Sequence, residues 1–200
     1  MAVVSGGTTL IDNGTLDAGV STGNLILLST QTASASASIE FTTGIDSTYD
    51  SYVFKFYDIH PQNDSITFTF NFSTDGGSTY NVAKTSSSFR ATNDESGTPA
   101  DLSYDTFTDL AQGTGNQIIS SSVGNDNDKS YVGTMQLFNP SSTTFVKHFI
   151  VSSNEYHTDD RSTNVFTAGY GNTTSAINAI KFLFGSGNID SGTIKMYGVK

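Results

Sequence analysis

Cysteine and tryptophan are both absent from these 200 residues, and proline occurs only three times. Without cysteine no disulfide can staple the fold, no thiol can serve as nucleophile, and zinc sites built on sulfur are excluded. Without tryptophan the preferred platform for stacking sugar rings is missing. Charge is scarce as well: Asp, Glu, Lys and Arg make up 14% of the chain, where roughly 25% is usual. The 9 basic and 19 acidic side chains leave a formal charge of -10, the wrong sign for neutralising phosphates or adhering to an anionic bilayer, so neither nucleic acid nor membrane is an expected partner. No stretch approaches the roughly 20 apolar residues of a membrane span. The start, Met1 to Gly7, has neither the basic residues nor the apolar run of a signal peptide. A soluble product of cytoplasmic synthesis is expected.

What is abundant is Ser, Thr, Gly, Asn and Asp, with 14 Phe and 9 Tyr. That mixture favours strands and turns over long surface helices. The length suits one well-filled domain. Residues 1–23 are small, polar and Gly-rich and read as an extended N-terminal arm, a candidate docking segment; residues 24–200 read as the body. There, strand-like runs are separated by turn-forming clusters at Asn24 to Thr32, Ser36 to Thr43 and Ser51 to His60, and Ile66, Phe68, Phe70 and Phe72 alternate with polar residues. Across Asp75-Gly76-Gly77 the pattern predicts a hairpin returning over Tyr80 to Ala91. Residues 92–130 are the least regular, with a short helix expected near Asp105 to Ala111. Strands resume at Tyr131 to Phe138, Thr144 to Ser152, Asn164 to Tyr170, Ala176 to Phe184 and Thr193 to Val199. The fold class expected is all-β, a jelly-roll-like antiparallel sandwich whose core includes Phe54, Phe56, Phe68, Phe70, Phe72, Phe182 and Phe184.

The search for chemistry yields little. Ser73-Thr74-Asp75-Gly76-Gly77-Ser78-Thr79-Tyr80 fits the Asp-box pattern of sialidase-like propellers, but a propeller repeats its box at blade spacing and this chain has one, so a structural turn is expected. Gly124 to Asp128 places carboxylates two residues apart, a spacing Ca²⁺ accepts. An EF-hand loop counted from Asp126 needs Gly sixth and Glu twelfth, and Tyr131 and Leu137 stand there, so a hydrated turn is expected. Glu155, His157, Asp159 and Asp160 lie close in sequence and are the one cluster from which a metal site or acid/base pair could be built; His148 reads as an ordinary strand residue. No Gly-x-Ser-x-Gly elbow or P-loop occurs, and no pair of carboxylates stands out as a glycosidase pair. The expectation is no enzyme, no catalytic residues, no cofactor and no metal. Among the aromatics, Tyr49, Tyr104, Tyr156 and Tyr170 are the candidates for an exposed sugar-binding surface.

Several segments resemble a family of small structural proteins of marine tailed phages, including those infecting cyanobacteria. They are Leu28 to Ser34, Gly44-Ile-Asp-Ser-Thr-Tyr-Asp50, Tyr57-Asp-Ile-His-Pro61, Gly124 to Asp128, Leu137-Phe-Asn-Pro-Ser-Ser-Thr-Thr-Phe-Val-Lys-His-Phe149, Ala168 to Ala176 and Ser186 to Gly198. The resemblance implies a virion protein made in the host cytoplasm: a capsid decoration or a head or tail appendage component, contacting other virion proteins as a homo-oligomer such as a trimer. It carries no catalytic residue over to this chain. The competing expectation is a receptor-binding tail-fibre domain that recognises host surface glycans.

Overall fold

The computed structural model describes residues 25–200 and the short strands β1 (Val3–Ser5), β2 (Thr8–Asp12) and β3 (Thr15–Leu16), which form an antiparallel sheet of their own. The expectation of an extended docking arm over residues 1–23 falls for the most part outside the described residues. The body contains β4 (Ile26–Thr32), β5 (Ile39–Phe41), β6 (Ser51–Pro61), β7 (Phe68–Ser73), β8 (Lys84–Asp94), β9 (Ala100–Tyr104), β10 (Gln117–Ile118), β11 (Tyr131–Phe138), β12 (Lys147–His157), β13 (Arg161–Gly171), β14 (Ala179–Phe184) and β15 (Ile189–Val199). An eight-stranded sheet, β4-β15-β6-β11-β12-β13-β8-β9, packs against a four-stranded one, β10-β7-β14-β5, with every pairing antiparallel. The chain is thus an all-β sandwich with no helix among its described residues; the eight-over-four order establishes a sandwich without specifying a jelly roll.

Phenylalanine holds the two sheets together. Phe54 and Phe56 of β6 meet Phe68, Phe70 and Phe72 of β7 and Phe182 and Phe184 of β14, all buried as the alternation predicts. Phe182 sits at the centre, with ring centroids 5.5 Å from Phe54, 5.1 Å from Phe56 and 6.3 Å from Phe41. These tilted and edge-on pairs contribute beyond their buried area. The polar residues of β7 are buried too, against the reading of one buried face. Asn71 donates to the carbonyls of Tyr80 and Thr114, and accepts from Lys84 Nζ at 2.6 Å, so folded-over loops cover that side.

Two expectations are corrected here. The segments flanking Asp75-Gly76-Gly77 do not form a hairpin: β7 belongs to the small sheet and β8 to the large one. The turn is closed by side chains instead. Asp75 accepts from Ser73 Oγ at 2.6 Å, from the Thr79 amide at 2.9 Å and from Thr79 Oγ1 at 2.6 Å. Gly76 and Gly77 take φ of +73° and +92°, which lets the chain cross between sheets rather than pair back. The expected helix near Asp105 to Ala111 is a turn capped by Asp105, whose Oδ1 accepts the Phe107 amide. Beyond it, the Ser86 amide donates to the Leu110 carbonyl, the Leu110 amide donates to Ser86 Oγ, and Gly113 exchanges both backbone bonds with Lys84. The edge of β8 takes the amides and carbonyls that a helix would have used internally.

Candidate functional site

Four strands cannot cover eight. Beneath the wing formed by β12, β13 and β8, the inner face turns from Phe to Ser, Thr and Glu, and loop residues 105–124 close it. Ser88 and Thr167 share a hydrogen bond at 3.0 Å, and Ser153 donates to the Ile119 carbonyl. Glu155 and His157, two residues apart on β12, both point into this layer because the strand period brings every second residue to one face. Of the acidic cluster flagged in the sequence, the structure therefore brings together only part.

Glu155 accepts the amides of Ser121 and Ser122 at 2.9 Å each and ties that crossing segment to the large sheet. Burial pushes its carboxyl up to about 7, although those two amides pull the other way. His157 is pushed down to about 4, first by burial and then by the Arg161 guanidinium. Arg161 approaches His157 Nε2 at 2.9 Å, a contact that needs an unprotonated nitrogen. Asp160 points elsewhere and pairs with Lys129 at 2.7 Å. Lys129 also holds Asp126 at 3.0 Å and donates to the Thr158 carbonyl. A lysine ammonium thus already serves the Asp126 carboxylate of the Gly124 to Asp128 turn. No group of three or more His, Cys, Asp or Glu able to hold a metal is found among the described residues.

The opposite, outer face of the same wing is open and differently made. Cross-strand register puts Thr134, Ser152, Phe166, Phe89 and Tyr104 in one row, with Gln136, Ile150, Ala168 and Ser87 in the next. Leu102 is 71% exposed, Tyr104 56%, Ile150 51% and Phe89 47%. The Phe89 and Phe166 rings stack at 5.0 Å and 14°. Because they stand side by side on neighbouring strands, they present mainly edges to solvent. Beside them an open depression of about 560 Å³ is bordered by Phe138, His148, Ile150 and Tyr170. On the outward positions of β8, β9, β12 and β13 there is no carboxylate, in a chain that has 19. His148 lies on this strand face, as read from the sequence, with its ring 6.0 Å from Tyr170.

The four tyrosines proposed for sugar stacking do not converge. Tyr49 packs on Tyr52 at 5.9 Å. Tyr156 donates to Glu95 at 2.9 Å and Tyr104 to Asp109 at 2.7 Å. Tyr156 and Tyr170 lie at opposite ends of the β12–β13 ladder, roughly 25 Å apart at the rise of an extended strand. Sequence reading missed Phe89, Leu102, Ile150 and Phe166 as surface residues, since isolated apolar residues in a strand-rich chain default to core. On β8 the face opposite Phe89 is polar, with Ser88 and Thr92, whereas on β12 the face opposite Ile150 carries Phe149 and Val151, so alternation alone does not single these residues out. Comparisons with protein-family models, with curated proteins and with solved structures find no match for this chain.

Proposed function

We propose that this chain is a non-enzymatic structural component of a phage particle, a capsid decoration or a head or tail appendage, that binds other virion proteins through the outer face of its eight-stranded sheet. The observation that carries the assembly half of this reading is the charge-free, aromatic and aliphatic patch around Phe89, Phe166, Ile150 and Leu102 on an otherwise acidic protein. Contiguous exposed apolar surface of that kind marks protein contacts more often than catalysis. The phage half rests on the sequence resemblance. A glycan-binding fibre tip is less well supported, because the stacked rings stand edge-on and the candidate tyrosines are dispersed.

Quantitative mass spectrometry of purified particles tests the proposal. High copy number is expected for a decoration and a few copies for an appendage; absence from the particle refutes both. Incubation with host capsule or lipopolysaccharide is expected to release no sugar. Release by the wild type that is lost in an Asp or Glu variant would overturn the non-enzymatic reading.

A further inference from the structure

We infer that β9 is a two-fold docking edge, through which a second copy of this chain joins its eight-stranded sheet to the first. The inference deepens the assembly reading above by naming the partner, and rests on it.

β9 is the last strand of the large sheet and pairs on one side only, with β8. The Pro99 carbonyl accepts the Asp94 amide and the Asp105 amide donates to Ser88, so the odd-numbered residues turn their backbone groups toward β8. Alternation then turns the N–H and C=O of Ala100, Leu102 and Tyr104 toward the open side. Three residues of unpaired ladder on an exposed edge template another strand. β9 is short, follows Pro99 and turns Asp101 inward, all features that blunt an edge, but no lysine or bulge stands on it and no backbone partner takes up the outward groups of Ala100, Leu102 and Tyr104.

The register of such a pairing follows from symmetry. An antiparallel ladder about a two-fold axis at Leu102 sets Leu102 opposite Leu102 of the second copy and Ala100 opposite Tyr104, using all the free backbone groups. A two-fold interface must be self-complementary, and this one is. Side chains agree with the backbone. Leu102 and Tyr104, among the most exposed apolar residues described, lie on the outer face, where Leu102 meets its own copy and Tyr104 meets Ala100 of the second copy. Asp101 points to the inner side, bonded to Thr92, and faces Ser103 of the second copy rather than a carboxylate. Two molecules of charge -10 repel; the outward positions of β8 and β9 carry no carboxylate of their own, and Asp109 beside them accepts the Tyr104 hydroxyl. Pairing there unites the two Phe89–Phe166 patches into one continuous face, which each copy has only in half.

The absence of cysteine makes a clean test available. In a hydrogen-bonded antiparallel pair the Cα atoms lie about 5.5 Å apart, within disulfide reach. Leu102→Cys, treated with diamide, should give a covalent dimer, whereas Ser103→Cys, on the other face and off the axis, should not. Sedimentation equilibrium of the full chain should give a dimer for the wild type and a monomer for Leu102→Lys, with circular dichroism confirming an unchanged fold. A monomeric wild type, a trimer, or a dimer that survives Leu102→Lys overturns the inference. Failure of the virion reading is separable: a chain absent from particles that still cross-links at Leu102 refutes the phage role and leaves the edge intact.

Discussion

Glu155 and His157 carry opposite pH dependences on one strand. The Glu155 carboxyl is raised to about 7 from an ordinary 4.5. Between those values the native protein keeps a proton the unfolded chain has lost, and stability falls as pH rises. The ring of His157 is lowered to about 4 from 6.5, so over that range the unfolded chain binds the extra proton and stability rises with pH. In the shared window from about 4.5 to 6.5 the slopes offset each other, and the melting temperature of the wild type should be nearly flat. Glu155→Gln should uncover a rise across that window and His157→Asn a fall; a thermal-melting series in pH steps checks both, and parallel profiles for the two variants would contradict the assignment. Asp75 behaves as an ordinary paired carboxylate, held down to about 2 by Ser73 and then Thr79. Its contribution is complete above about pH 4 and lost as pH falls toward 2. Asp75→Asn replaces the Oδ2 acceptor of Thr79 with a donor, and should lower the melting point at pH 7 while flattening the acid limb. The turn itself was legible because Asp, Gly and Ser in that order have one economical local fold. The inward aim of Glu155 was not, because only the pairing of β12 decides which face a strand residue takes.

Among the elements, those with a strict period of two were read well. Tyr131 to Phe138 matches β11 residue for residue, and the Phe runs of β6, β7 and β14 are core. Their energetic weight is testable at the centre of the sandwich: Phe182→Ala removes a ring in contact with three neighbouring strands and should cost about 3–5 kcal/mol, read from the urea midpoint. Phe89→Ser, on the outer face, should cost no more than about 1 kcal/mol, the scale of one aromatic pair. A comparable loss at both sites would mean that the outer patch is packed rather than open. Elements defined by their partners were missed. β9 and β10 are short and weakly patterned, and exist because β8 and β7 offer free edges. The supposed helix at Asp105 to Ala111 was drawn along β8 for the same reason, since backbone groups go to whichever partner satisfies them.

For the whole molecule, Lys129 pairs with Asp126 of the Gly124 to Asp128 turn and with Asp160. Chelation with EDTA and addition of Ca²⁺ should both leave the melting temperature unchanged; a saturable, Ca²⁺-selective rise would mean that the folded state binds the ion. Assembly, by contrast, should depend on concentration, because joining two β9 edges couples folding to association. Composition and period by themselves determined that this chain is all-β with a phenylalanine core, since strands that alternate apolar with polar residues remove that many rings from water only by turning one face inward. Which strands pair, which half of the large sheet the small one leaves uncovered, and that Phe89, Leu102 and Phe166 face solvent were decided only by tertiary structure. Those choices depend on long-range register, and a one-residue shift in register turns every side chain of a strand to its other face.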